Sequence, residues 1–393
     1  MVGAGALALT PLLGGCRSDV ATTPSTLRVH LRLSAYERAA FERVVLPNFL
    51  RDHNLRVTWE AGTVDEAIGR LGDPQAGIDL LAVDTERLGA LIAAGLVQPL
   101  DAQRGALAAP PWRTMLPALE AGGTLYALPY RPTTWIGYYN RTLLDAARLA
   151  PPPTWDHALA TATRLREGGG AAQLALQGAA GEPAARSLAE LIWAFGGDPL
   201  APTGEGAQAA GAFLARLGPL LSPLAREASF ASMTTALGAG QVALGPNWPS
   251  VAADLLQRGG QRDIAAYVGP AGPRGGARLL SGQVLVVPRH AVNREGGPLL
   301  AAYLRDPASQ VVLARELAWL PTVEQALAAV PEWQRGVATV ALAALRDART
   351  LPPLAQREIF DAALGDAFRA IAFEGQSPRV ALARAGELVT GVR

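Results

Sequence analysis

The chain has 393 residues, 50% of them hydrophobic and 18% charged, with 42 Gly, 30 Pro and a single Cys; that length gives about two or three domains, each able to bury a core of its own. Thirty-five basic against 34 acidic residues leave a formal charge of +1, so no global field exists to hold nucleic acid. The lone Cys excludes an intrachain disulfide and any multi-cysteine zinc site, and the complete lack of Lys excludes phosphate loops of the Walker type, Schiff bases and Ser-Lys pairs.

In chain order, residues 2–15 carry no charge and lead into Leu13-Gly14-Gly15-Cys16. The run is too short to span a bilayer and has the length of a secretory signal's apolar region. The tetrad resembles the lipobox of bacterial lipoproteins, which implies acylation of Cys16; no basic residue precedes the run, where such a signal carries one. Residues 1–16 thus read as a signal segment and 17–26, rich in Ser, Thr, Asp and Pro, as a tether. Strict alternation predicts a strand over 27–33, followed by an amphipathic helix over 39–50. A strand at 55–59, a helix at 64–71, a buried strand at 77–83 and a helix at 86–94 closed by Gly95 come next. Strands alternating with helices predict a parallel sheet covered on both faces, with ligand held beyond the carboxyl ends of its strands. Extended runs follow at 124–130 and 134–139. A helix capped by Thr154 or Asp156 runs towards Glu167, and helical patterns dominate to about residue 265. A strand at 279–287 precedes a largely helical remainder, broken near Pro321, Pro331 and Pro352.

Several short motifs carry a resemblance when taken together. They are Gly123-Thr124-Leu125-Tyr126-Ala127-Leu128-Pro129-Tyr130, Tyr138-Tyr139-Asn140-Arg141-Thr142-Leu143-Leu144 and Pro152-Pro153-Thr154-Trp155-Asp156. Further on stand Phe195-Gly196-Gly197-Asp198, Gly240-Gln241-Val242-Ala243-Leu244-Gly245 with Trp248 beyond it, and Ser281-Gly282-Gln283 before Val286-Val287-Pro288. In this order the chain from Leu27 onward resembles the bacterial extracellular solute-binding proteins, family 1, which deliver sugars and related solutes to ABC importers. The resemblance implies an α/β, two-lobed periplasmic binding protein-like fold. Each lobe would be a mainly parallel sheet flanked by helices, with the ligand in the cleft between lobes. Crossings are expected near 129–134 and 279–282, with 27–129 and 281–323 in the first lobe and 130–280 and 324–393 in the second. It also implies hinge closure around the solute, ABC permease subunits as partners, a monomer without cofactor, and an extracytoplasmic location, lipid-anchored through Cys16.

The candidate ligand residues follow from position and chemistry. Sugar rings pack C–H faces on aromatic rings and ask for side chains that both donate and accept. Trp248, between Asn247 and Pro249, matches a position that the resemblance assigns to stacking on sugar, with burial in a core as the alternative. Thr133, Trp135 and Arg131 lie at the first crossing, and Gln283 offers both polarities of an amide at the second. Trp59 and Glu60 end the second strand and Asp84 ends the third, so all three project at the carboxyl edge; Asp84 reads equally as a helix N-cap. Trp193 and Asp198 flank Phe195-Gly196-Gly197, and Trp319 precedes Leu320-Pro321. Trp112 and Trp155 are assigned to packing and Asn140 to a turn. The four His share no ligand spacing, so no metal site is expected. An enzyme is the rival from another class, yet the sequence holds no Gly-x-Ser-x-Gly, no His-Glu-x-x-His and no dense carboxylate cluster. Within the same fold, a polyamine or organic-anion binder, or a solute sensor, is the other alternative.

Overall fold

A computed structural model describes residues 25–108, 111–169 and 172–392. The Cys16 motif and the tether up to residue 24 lie outside the described residues.

The first strand, Ser25–His30, buries Leu27 and Val29 completely while Arg28 stays exposed, as the alternation requires. It pairs in parallel with Leu55–Trp59 on one side and with Leu80–Asp84 on the other. Two strands from distant sequence complete the five-stranded sheet. Ser281–Val286 runs antiparallel to Leu80–Asp84, and Leu128–Thr133 antiparallel to Ser281–Val286. By strand direction the expected mainly parallel sheet holds, since four of these five strands point the same way and Ser281–Val286 opposes them. Of the two crossing segments, Leu128–Thr133 leaves this lobe at the end where the N-terminal strands also finish and shares their direction, whereas Ser281–Val286 enters at that end and so runs against the rest. Pro129 and Pro132 lack the N–H of a central ladder, and their strand accordingly lies at the sheet's edge.

A second sheet has the order Ile264–Tyr267, Ile136–Asn140, Val242–Asn247, Gln173–Leu174, with its first two pairings antiparallel and the last parallel. Here Ile136–Asn140 runs against the other three strands, which share one direction. Three strands of this sheet fall where helical patterns were read. Val242–Asn247 is almost wholly buried, so it shows no polar alternation to separate it from a helix.

Each sheet anchors its own apolar core. One gathers Leu27, Phe41, Phe49, Val83 and Leu285; the other gathers Ile136, Trp155 and Leu244 with the helices Glu182–Ala194, Glu205–Leu217 and Arg357–Glu374. Residues 324–393, assigned from sequence to the second lobe, touch both cores: Phe360 and Leu364 pack in the second, but Leu345 and Ala348 pack in the first. A short parallel pairing of Arg278–Leu279 with Ala348–Arg349 lies beside the crossings. At the crossing itself Gly282 has φ of 120°, and a Cβ there would come within 2.2 Å of the Arg131 carbonyl, so only glycine fits.

The helical segment at 35–53 is longer than expected and is not uniform. Ala35–Ala40 and Leu46–His53 flank a π-helical stretch, Phe41–Val45. Pro47 cannot donate to the preceding turn, which widens the ladder there. Ser34 and Glu37 close the N-terminus as a capping box. Among the described residues no helix is long and apolar enough to cross a membrane.

Candidate functional site

A cleft of about 1050 Å³ separates the two sheets. Arg32, Glu37, Asp84, Arg131 and Trp319 line it from the first lobe, Glu182, Phe230 and Trp248 from the second, and Thr133, Ser281 and Gln283 from the crossing strands.

The first-lobe wall is a set of paired charges. Arg32 follows the first strand in the left-handed region, φ 54°, and its Nη1 lies 2.5 Å from the Asp84 Oδ1. Asp84 occupies the N-cap of the helix Thr85–Ala93, yet its side chain caps no backbone N–H; it faces Arg32 instead. Nearby, the Trp319 indole donates to Glu37 Oε1 at 2.8 Å, and Arg131 Nη1 stands 3.3 Å from the same oxygen. The Arg131 guanidinium lies over the Trp319 ring, 4.2 Å from its centroid. Burial alone would raise the Glu37 carboxyl, but Arg131, the Ser34 backbone and hydroxyl groups and the Trp319 indole together hold it below the ordinary carboxylate range.

The second-lobe wall is aromatic. Trp248 leaves the buried strand Val242–Asn247, and its backbone is clamped. Asn247, itself fully buried, accepts from the Trp248 N–H at 2.9 Å and donates to Phe230 O at 3.1 Å and to Thr234 Oγ1 at 3.0 Å. The Tyr138 hydroxyl donates towards Trp248 O and Pro249 O, each at 3.3 Å. Trp135 meets the Trp248 ring edge-on at 6.0 Å, and the Arg186 guanidinium lies 4.4 Å from the Trp248 centroid. The half-buried ring is thus held from behind while it lines the cleft.

The candidates named from sequence divide. Trp248, Gln283, Thr133, Arg131, Asp84 and Trp319 line the cleft. Gln283 lies opposite both Asp84 and Arg131 in the sheet, and its Oε1 is buried without a hydrogen-bond partner among the described residues. The remaining five are not brought to the cleft wall. Trp135 is 1% exposed and stands behind Trp248. Trp59 packs on Phe41 under the Arg38 guanidinium, and Glu60 pairs with Arg70. Both correct the expectation that everything at a strand's carboxyl end projects into the site: these two end the strand at the opposite edge of the sheet from the crossings. Trp193 is buried in the second core on the helix Glu182–Ala194. Asp198 is exposed and accepts from Leu200 N at 2.9 Å, closing a local turn. Trp112 and Trp155 are core residues, and Asn140 caps the helix Arg141–Ala146 by accepting from Leu143 N at 3.1 Å.

Arg32, Glu37, Glu86, Glu182 and Arg186 were not singled out from sequence. A signal existed for two of them. Glu182, Arg186 and Glu190 recur every four residues in a helix otherwise rich in Ala and Leu, the spacing of a charged line along one helix face. Among the described residues no group of three or more His, Cys, Asp or Glu is placed to share a metal ion.

The sequence profile described as bacterial extracellular solute-binding protein matches residues 34–311. Solved structures share the architecture. A cyclic α-maltosyl-1,6-maltose binding protein from Arthrobacter globiformis superimposes with a TM-score of 0.78 at 16% identity, over 93% of this chain and 98% of that one. An ABC transporter solute-binding protein of Thermotoga lettingae bound with α-D-tagatose gives 0.71 at 18%, over 93% and 99%. UgpB from Mycobacterium tuberculosis, in complex with glycerophosphocholine, gives 0.69 at 21%, over 93% and 97%. At these identities the likeness shows the fold.

Proposed function

The chain belongs to the bacterial extracellular solute-binding protein family, and from that premise we propose that it captures a sugar or oligosaccharide in the cleft and delivers it to a membrane permease of an ABC importer. The observation that carries the sugar reading is the Trp248 ring on the cleft wall, held by Arg186 and Trp135, opposite hydroxyl, amide and carboxylate groups of the other lobe. An aromatic face takes the C–H side of a pyranose, and Thr133, Gln283 and Asp84 offer acceptors and donors to its hydroxyls. The unpartnered Gln283 Oε1 calls for a hydroxyl donor on this wall. Binding returns the solute unchanged, and no reaction is part of this reading. Attachment to the outer face of the membrane through an acylated Cys16 belongs to the same proposal, on the strength of Leu13-Gly14-Gly15-Cys16, as does a monomer working with permease subunits.

A second reading keeps the cleft and changes the solute. Arg32, Asp84, Glu37 and Arg131 place two cations and two anions on one wall, which suits a zwitterionic or organic-anion ligand able to exchange partners with those pairs. Intrinsic Trp fluorescence titrated with mono-, di- and oligosaccharides, organic anions, polyamines and glycerophosphocholine separates the two. A saturable response to one sugar, abolished in Trp248→Ala, supports the first reading. A response confined to a charged solute moves the assignment to the second, and calorimetric silence to the whole panel overturns both.

A further inference from the structure

Among the described residues Arg186 is the largest charged side chain sealed completely inside the protein; its side chain has no exposed surface. Such a guanidinium persists only where each donor is used and its face is covered. Here Nε donates to Glu182 Oε1 at 3.0 Å, Nη1 to the Leu279 carbonyl at 2.8 Å and Nη2 to the Ser281 hydroxyl. Its plane lies against two indoles, 4.4 Å from Trp248 and 5.0 Å from Trp135. Leu279 and Ser281 belong to the crossing between the lobes, so the hydrogen-bonding end of Arg186 is tied to the hinge while its face supports the cleft's aromatic wall.

The tie continues into the other lobe. The Ser281 hydroxyl accepts from Arg186 and donates to Glu86 Oε1 at 2.6 Å, using both polarities of one oxygen. Glu86 opens the helix Thr85–Ala93 of the first lobe, and its Oε1 lies 4.0 Å from Arg186 Nη2. Burial would raise this carboxyl, but Arg357, Arg186 and Ser281 outweigh it and hold the group below its ordinary range, ionised. The line Glu86–Ser281–Arg186–Trp248 thus runs from the first lobe, through the crossing strand, to the ring on the opposite wall.

We propose that Arg186 is the positioning residue of the cleft: it sets the Trp248 ring from behind and, through Ser281 and Glu86, makes the orientation of that ring depend on the angle between the lobes. The stacking surface and the hinge then move as one unit, so a solute that settles on Trp248 acts directly on the lobe angle. Lysine in place of Arg186 keeps the charge and loses both the planar stack and the three-way fork. This inference rests on the cleft being the solute site.

The test reads Trp248 itself and needs no solute, so its outcome is independent of which ligand the protein takes. The whole protein is labelled with 5-fluorotryptophan, and the ¹⁹F resonance of Trp248 is identified by its loss in Trp248→Phe. Glu86→Gln, a change on the other lobe, is expected to move or broaden that resonance, and Ser281→Ala to do the same. Arg186→Lys should displace it furthest, while the Trp59 resonance, from the sheet edge opposite the crossings, stays in place in all three. An unmoved Trp248 resonance in both Glu86→Gln and Ser281→Ala overturns the link to the hinge. An unmoved resonance in folded Arg186→Lys overturns the positioning role. Should Arg186→Lys not fold, the other two variants decide the proposal, since a purely structural Arg186 would leave Trp248 of their native state where it was.

Discussion

Trp248 can offer one face to a solute because the rest of the residue is spoken for: Arg186 and Trp135 at the ring, Asn247 and Tyr138 at the backbone. Trp248→Ala is expected to weaken binding of the sugar that the fluorescence panel identifies by tenfold or more, about 1.4 kcal/mol, with far-UV circular dichroism unchanged. Glu86 supplies a second expectation. Its carboxyl is depressed from the ordinary value of 4.5, so the stability it contributes is fully present above that value and is lost as pH falls through the lower folded-state value. Urea denaturation should therefore show Glu86→Gln less stable than the parent at pH 7, with the gap closing as the solution is acidified below 4.5. A constant gap would mean that Glu86 acts through its shape alone. At this scale the sequence pointed to Trp248, which lines the cleft, from its flanks, Gly245-Pro246-Asn247 and Pro249, because such residues interrupt periodic packing. It did not separate Trp193, whose neighbours Phe195-Gly196-Gly197 are as irregular, because Trp193 belongs to the turn before them and the helix directs it into the core. The partners of Arg131 and Asp84 were illegible, since Glu37 and Arg32 come from segments far away in the chain.

The helix Thr85–Ala93 meets the joint between lobes at two points. Glu86 at its start reaches Ser281, and Gly89 in its middle meets the backbone of Leu354: a Cβ there would lie 2.1 Å from the Leu354 carbonyl oxygen. Leu88 packs in one core and Leu354 in the other, so this contact is a place where the lobes touch backbone to side. Gly89→Ala is expected to cost about 1–3 kcal/mol through overpacking, read as a lower urea midpoint, and to alter the unliganded small-angle scattering profile. An unchanged midpoint and profile would show that the two segments part freely. The helix was legible from the Gly95 stop and its apolar spacing. Its contact with Leu354 was not, because nothing local in Gly89 marks a partner some 265 residues further on. The same limit applies to the sheets: alternation over 27–33 located the first strand, whereas the direction of pairing depends on where the chain re-enters the lobe, which no short window contains.

At the scale of the whole molecule, two cores that have no described residue in common are joined by the crossing strands and by the contacts of the helix Thr85–Ala93. Addition of a bound solute is expected to reduce the radius of gyration as the lobes approach, and to raise unfolding stability by about 2.7 kcal/mol at a concentration one hundred times the Kd. Scattering without compaction would leave a rigid cleft that binds without closing. The two-lobed plan was readable because the motifs that carry it recur in fixed order along most of the chain, and residues 34–311 match the family profile. The part that was not readable is the C-terminal segment, whose Leu345 and Ala348 join the first core while its later helices join the second.

Beside the Gly89–Leu354 contact, the seam between the lobes carries a polar cluster of Arg186, Ser281, Glu86 and Arg357, and this has a thermal consequence. Heat-capacity change on association tracks the apolar area removed from water. Guanidinium, hydroxyl and carboxylate groups of that cluster contribute little to it, so the negative heat capacity of binding is expected to come chiefly from the solute together with the cleft surfaces around it, namely Trp248 and the exposed lips Tyr36 and Phe230. Titration calorimetry at several temperatures would then serve as a ruler: the slope of enthalpy against temperature measures how much of the solute's own apolar face the protein covers.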